Sequence, residues 1–539
     1  MSTFEQVTPA HPLSRFVPSR YVLVKCSFWA FVLLYCCVIL YKPSFGIIDD
    51  HGFLTTVLHG KALPLYINAS SGRFVPLENQ EYNVASIFSA SPLSFYLVNA
   101  VELVLTAWLL VKLGQIGSAN RRKSLPYLVA ILVMLTPDFM IAWFRLQVPE
   151  KTEFLLLGLF LYCYLKFQAN PRFAYYAVGM VAAGTALLFK ETAFVIIGAF
   201  GASHLLLGRQ LNKFNKLFDI SLITLSGLWL SLYYFLMYRH RGAHVYGDTS
   251  DSGIYRTAKT LASNFLHDPV AIAGLVFILG IRACLLVKRN VSYPVFDSAL
   301  LASGMLCLAY LALRMGNDYY LLPIYIFVPY IVSIIVDETS LRGFFKPWIV
   351  AIFILLLISQ LSFSAGDAVL WKLAPANFQL VLNRLDEVMT SSPKRVRVFI
   401  AGANRGTGVE LYVSLERYLA FRGLSDRRYD LLSDLPVNEA IPFEQVMKQM
   451  PASSLSYRIP SEADHVGLGD YVLLTPYDSL DRRREFGNSG HYSLVYKTRS
   501  VTFPDFSIKA LIDRKVLHGR LGFGSRLIDP NYYLYERLQ

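Results

Sequence analysis

The sequence predicts an all-α polytopic membrane bundle of about eleven transmembrane helices, followed by a small α/β domain outside the membrane. Three observations carry this. Of 539 residues, 54% are hydrophobic and only 17% charged, against roughly 25% charged in an ordinary soluble protein. The mean hydropathy is +0.41. Apolar runs of span length recur up to residue 364 and then stop. A soluble chain this long would split into several domains, each needing a polar coat that this composition cannot supply. Aromatic residues at 14% exclude disorder, and neither a glycine period nor a charged heptad is present.

Crossing the hydrocarbon core takes about 20 apolar residues. Runs of that kind lie near 21–42, 91–113, 126–144, 153–168, 172–189, 192–208, 217–237, 269–287, 297–313, 319–336 and 347–364. Residues 1–20 form a short cytoplasmic N-terminal segment with Arg15 and Arg20. The first run ends in Tyr41-Lys42-Pro43 instead of a small-residue cleavage site, so it is read as a retained span. The connections carrying Arg121-Arg122-Lys123, Lys166/Arg172, Arg209/Lys213/Lys216, Lys288-Arg289 and Arg342/Lys346 alternate along the chain, which makes them cytoplasmic under the positive-inside rule. The exported side then receives 43–90, 145–152, the Lys190-Glu191 break, 238–268, 314–318 and everything after 364. The net charge of +13 fits the same map. Residues 1–364 hold an excess of +10 and 365–539 only +3, so the charge reports topology and no nucleic-acid partner is expected. All six cysteines lie in or at the ends of apolar runs and read as packing residues.

The tail, 365–539, has a different texture. An amphipathic stretch at Phe378–Met389 leads to a strand-like run from Arg395 to Gly402, a helical pattern through Val409–Phe421, and further strand-like runs at Tyr471–Leu474 and His491–Tyr496. Strand, helix, strand describes an α/β domain. Gly402, Gly406 and Gly408 lack the spacing of a dinucleotide-binding turn and are read as a plain strand-to-helix turn.

Chemistry is expected where polar residues gather on the exported face, because charge near lipid is tolerated mainly with a partner or a task. The loop 43–90 carries Asp49, Asp50 and His51, then an amphipathic turn or two with Phe53, Leu54, Val57 and Leu58 suited to the membrane interface, then Gly72-Arg73-Phe74, Pro76, Glu78 and Glu81. Paired acids just beyond a span can serve as a general base or bind a hard divalent cation. Further segments are Thr136-Pro137-Asp138 running to Arg145, Pro149 and Glu150; Phe189-Lys190-Glu191-Thr192; 238–268 with Arg239, His240, Arg241, Arg256 and Lys259; and Arg314 through Asn317, Asp318, Tyr319, Tyr320 and Pro323. Singly, each reads as an interfacial anchor or an interhelical salt bridge. Five on one face point to a site, with Arg145, Lys190 and Arg314 as an anion clamp opposite the acids.

These residues resemble the GT-C superfamily of integral membrane glycosyltransferases, which includes protein O-mannosyltransferases, lipid A aminoarabinose transferases and O-antigen glucosyltransferases. The match lies in an acidic pair after the first span, the Gly72-Arg73-Phe74-Val75-Pro76 stretch, the Lys190-Glu191 break and the Tyr319-Tyr320-Leu321-Leu322-Pro323 link, in that order over about residues 21–364. The resemblance implies a transmembrane catalytic domain over 21–364 and a sugar donor carried on a polyprenyl phosphate. It makes Asp49 or Asp50 the catalytic base, and gives Lys190, Arg314, Arg145 and Arg73 to the donor phosphate. Glu191, Tyr319, Tyr320 and His51 stand as further site residues. Asp138 and Glu150 are both candidates for the second acidic motif. A divalent metal, Mg or Mn, would be held by Asp49 with Asp138 or Glu150.

The expected activity is inverting transfer of a sugar to a hydroxyl of a glycan, lipid or protein acceptor, with a bacterial inner membrane as the expected home and an endoplasmic-reticulum orientation, which would place the same loops in the lumen, as the alternative. An O-antigen polymerase or ligase using lipid pyrophosphates is the alternative enzyme, and a transporter or flippase the alternative non-enzyme. Glu102, in the middle of the run 91–113, is the residue a transporter would use. Alone there, it is expected to hydrogen-bond a neighbouring helix.

Overall fold

The computed structural model describes residues 20–69, 72–119, 122–208, 211–240, 254–289, 293–315, 319–337, 345–400, 407–424, 428–433, 466–478, 480–507, 510 and 526–539. The chain begins with α1 (Arg20–Leu40). The loop that follows holds α2 (His51–Thr55), the hairpin β1 (Tyr66–Asn68) and β2 (Arg73–Val75), and α3 (Gln80–Ser86). The bundle continues as α4 (Pro92–Gly117), α5 (Leu125–Met134), α6 (Pro137–Phe144), α7 (Pro149–Ala169), α8 (Phe173–Phe189), α9 (Ala193–Leu207), α10 (Lys213–Leu236), α11 (Ile254–His267), α12 (Pro269–Arg289), α13 (Pro294–Ala312) and α14 (Val328–Asp337).

Among the described residues, four helices are long and apolar enough to cross a membrane: α1, α4, α10 with its short extension to His240, and α13. Two bent pairs raise the number to six, and α8 and α9 are shorter apolar helices. Among the described residues four to six helices or helix pairs thus stand as candidate spans, fewer than the eleven apolar runs of the sequence. Both bends have a local cause. Pro137 opens α6 and turns it 67° from α5, since proline suits the first turn of a helix but cannot continue one. At the second, the Asp268 carboxylate accepts the Val270 and Ala271 N–H groups at 3.1 Å each, an N-cap that starts α12 at 99° to the preceding helix.

The last helix before the tail, α15, runs unbroken from Phe345 to Ser391, 47 residues with Pro375 inside it. The apolar run 347–364 and the amphipathic stretch Phe378–Met389 are thus one helix, about 70 Å long at 1.5 Å per residue. The boundary drawn at 364 lies within it. Beyond it come β3 (Val396–Ile400), α16 (Thr407–Phe421), β4 (Tyr429–Ser433), β5 (Tyr471–Leu474), the helix Leu480–Asn488, β6 (Tyr492–Lys497), β7 (Phe503–Asp505), β8 (Arg526–Ile528) and β9 (Tyr533–Arg537). The main sheet has the order β4-β3-β5-β9-β6, parallel at β4-β3-β5 and antiparallel where β9 joins β5 and β6. This is the α/β tail that the strand and helix patterns indicate. Gly402 and Gly406 lie outside the described residues, as do 1–19, Arg241, Asn317, Asp318 and the side chains of Arg256 and Lys259.

One expectation changes. The apolar side of the turns after Asp50 meets protein instead of lipid: Phe53, Leu54 and Val57 are buried, and α2 packs against α16 of the tail. An apolar face alone cannot tell lipid from a protein cover. The loop before α2 is tied to the same cover. Ser414 Oγ accepts the Ile48 N–H at 3.0 Å, Tyr418 Oη donates to the Gly46 carbonyl at 2.7 Å, and Gln379 Nε2 donates to the Phe45 carbonyl at 2.8 Å.

Candidate active site

The acidic pair sits in a constrained turn. Ile48 has φ 83°, a conformation rare for a β-branched residue and costing about 1–3 kcal/mol, of the kind that collects at functional sites. The Gly46 N–H donates to Asp50 Oδ2 at 2.7 Å. A Cβ on Gly46 would lie 3.2 Å from Pro375 Cγ and 3.3 Å from that same Asp50 oxygen, so any other residue would have to displace the proline ring or the carboxylate by a few tenths of an ångström. Burial pushes the Asp50 carboxyl up to about 7; the Gly46 N–H opposes this, neighbouring Asp49 adds to it, and Arg145 and Lys151 pull it back. Although Asp50 occupies the N-cap position of α2, its side chain makes no capping bond, so its carboxylate is not committed to the helix.

Arg145 meets this pair from the end of α6. Its carbonyl accepts from Asn99 Nδ2 at 2.9 Å, which fixes the turn. Its guanidinium donates to Asp49 Oδ2 at 2.8 Å, lies 4.3 Å from the Trp371 ring centroid and 5.3 Å from that of Tyr319. The Asp49 side chain is 42% exposed, open to an incoming group, while Arg145 is largely enclosed.

A second pair lies on the far side of Tyr319. Lys190, where α8 ends, holds Glu150 of α7 at 2.5 Å, both buried, and sits 4.8 Å from the Tyr320 ring. Tyr319 and Tyr320 meet edge to face with centroids 5.3 Å apart, so the two rings bridge Arg145 on one side and Lys190 on the other. A third group follows: Arg73 of β2 pairs with Glu191 at 2.7 Å and with Glu78 at 3.7 Å. Burial carries Glu78 up to about 7 against the pull of Arg73 and Lys190. Buried pairs of this kind are nearly neutral for stability, because desolvation offsets the attraction.

Asp49, Asp50 and Arg145 line one small cavity of about 30 Å³, together with Gly46, Tyr96, Gln147, Trp371, Pro375, Tyr477 and Tyr532. The cavity lies where the bundle meets the tail. Sequence reasoning missed Tyr96, Gln147, Trp371, Tyr477 and Tyr532. One signal was available, since Trp371 is the only tryptophan after residue 364.

The other expected residues fall elsewhere. Arg314 follows α13 in a left-handed turn (φ 54°) and does not line the cavity. Asp138 is buried in α6 with His267 at 3.8 Å, at the paired helix bends. His51 is buried, and its ring is depressed to about 3 by burial and by Arg417, so it carries no charge at neutral pH. Glu102 accepts from Thr152 Oγ1 of α7 at 2.7 Å, a bond to a neighbouring helix. The metal expectation fares poorly on donor chemistry. A hard divalent ion takes about six oxygen ligands, whereas Asp49 and Glu150 each already hold a cation and Asp138 lies with His267. Among the described residues no three His, Cys, Asp or Glu side chains group as ligands.

No protein-family model and no curated protein matches the chain. Among solved structures it is similar to ArnT from Cupriavidus metallidurans, in its undecaprenyl phosphate-bound and apo forms, at 11% identity over 89% of this chain and 97% of that one, with a TM-score of 0.45. It is also similar to the oligosaccharyltransferase of Archaeoglobus fulgidus tethered with an acceptor peptide, at 12% identity over 74% of this chain and 63% of that one, with a TM-score of 0.39. Likeness at this level is too weak to fix chemistry, which has to come from this chain's own residues.

Proposed function

We propose that this protein is an integral membrane glycosyltransferase that moves a sugar from a polyprenyl-phosphate donor to an acceptor hydroxyl on the extracytoplasmic face, with inversion. The observation that carries the reading is the Asp49–Arg145 pair with Asp50 in one cavity, beside the buried Lys190–Glu150 pair. The eleven-run topology, a bacterial inner membrane and a periplasmic tail belong to the same reading.

In the mechanism, Asp50 takes the acceptor proton. A carboxyl near 7 is matched to this task at neutral pH, where a positioned base contributes about 10²–10⁴-fold. The acceptor oxygen bonds to the anomeric carbon as the bond from that carbon to the phosphate oxygen breaks, and the electron pair leaves on the phosphate. Arg145 and Lys190 offset the charge that grows there, which is usually the largest catalytic contribution. Both are held by carboxylates before the donor arrives. A phosphate that draws Arg145 toward itself loosens its hold on Asp49, so donor binding and the charge around Asp50 are coupled. Attack from the side opposite the phosphate gives inversion.

The test is a transfer assay in proteoliposomes with undecaprenyl-monophosphate and undecaprenyl-pyrophosphate sugars. Transfer from the monophosphate supports the reading. Transfer from the pyrophosphate alone points to the polymerase or ligase class, and movement of labelled substrate without transfer points to a flippase.

A further inference from the structure

We infer that the tail builds the acceptor subsite and that the acceptor is a carbohydrate; this rests on the glycosyltransferase reading of the same cavity. Tyr477 and Tyr532 come from the tail and Trp371 from α15, and all three line the cavity that holds Asp49 and Asp50. Trp371 and Tyr477 lie with ring centroids 5.8 Å apart at 45°, forming an angled aromatic wall. Tyr532 is set rigidly. Its backbone N–H donates to Thr498 Oγ1 at 2.9 Å, its carbonyl accepts the Thr498 N–H at 3.1 Å, and its ring packs against Phe378 at 5.7 Å.

The hydroxyl of Tyr532 is the telling group. The residue is 0% exposed and its Oη makes no hydrogen bond among the described residues, although it belongs to the cavity lining. Buried hydroxyls are almost always hydrogen-bonded, so an unpartnered one on a residue that borders a cavity calls for a partner there. Flat rings suit the apolar C–H face of a pyranose, while Tyr532 Oη, Gln147 and the carboxylates suit its rim of hydroxyls. A peptide acceptor is recognised most simply along an extended groove or by adding to a strand edge. This cavity is compact, and no strand of the main sheet lines it.

The test uses full-length protein in lipid nanodiscs and saturation-transfer NMR with methyl glycosides of glucose, N-acetylglucosamine and rhamnose, and with a serine- and threonine-containing decapeptide. At least one glycoside is expected to bind, with affinity about threefold to tenfold weaker in Tyr532→Phe, the loss expected of one hydrogen bond, and weaker still in Tyr477→Ala. Tyr532→Phe removes only a hydroxyl that no described protein group uses, so misfolding does not explain its loss. Binding of the peptide but of no glycoside overturns the inference, as does absence of all binding, or glycoside binding equal in both variants and the native protein. Binding of radiolabelled undecaprenyl phosphate is read separately. If it fails while the glycoside result holds, the donor reading is lost and the carbohydrate subsite stands.

Discussion

Arg145 donates to Asp49 at 2.8 Å while its guanidinium lies 4.3 Å from the centre of the Trp371 ring. One side chain thus links the end of α6, the loop after α1 and the helix that enters the tail. Removing its carboxylate partner leaves Arg145 free to dwell elsewhere and strips a negative neighbour from Asp50. Asp49→Asn is therefore expected to reduce transfer about tenfold to a hundredfold, with the protein still inserted and folded, because Asp49 is too exposed for the pair to matter much to stability. A single-turnover assay with membrane-inserted protein checks this.

The pH profile gives a signed prediction. A base must be deprotonated to work, and Asp50 stands near 7, so transfer should fall about tenfold per unit as pH drops below that value. Asp49 is among the groups that raise Asp50, so Asp49→Asn should move the acid limb to lower pH. A limb that stays in place in the variant removes Asp50 from the role of base.

Lys190 and Glu150 are both buried, so deleting one leaves the other charged without a partner. Lys190→Met should destabilise the bundle by about 3–5 kcal/mol, and the double variant Lys190→Met/Glu150→Gln should regain most of that stability without regaining transfer. Thermal unfolding in detergent measures the first, and the transfer assay the second.

Gly46→Ala would push a methyl against Pro375 and the Asp50 carboxylate, at 3.2 and 3.3 Å. Transfer is expected to fall at least about tenfold, because a displaced base loses alignment steeply. Donor binding, measured by equilibrium titration with undecaprenyl phosphate, should change little.

Much of this was legible in the sequence for physical reasons. Two adjacent acids after an apolar run, a Lys190-Glu191 break with no room for a solvated loop, and Arg145 at the end of an apolar run are all costly near lipid unless they have partners, and the structure supplies those partners as Asp49–Arg145, Lys190–Glu150 and Arg73–Glu191. What the sequence did not reveal was pairing at long range. Phe53 looks the same whether lipid covers it or, as here, Phe45, Tyr82 and Phe95 do. Tyr477 and Tyr532 lie more than four hundred residues from Asp49, and nothing local marks them as neighbours. The continuity of α15 was hidden by its change from apolar to amphipathic pattern, although helical periodicity persists through it.

The most direct test of the account is Asp50→Asn, assayed in proteoliposomes for transfer from undecaprenyl-monophosphate sugars, with undecaprenyl phosphate binding measured on the same sample. The account predicts binding within about twofold of the native protein and transfer lower by about 10²–10⁴-fold. Full transfer by Asp50→Asn with normal binding would contradict it.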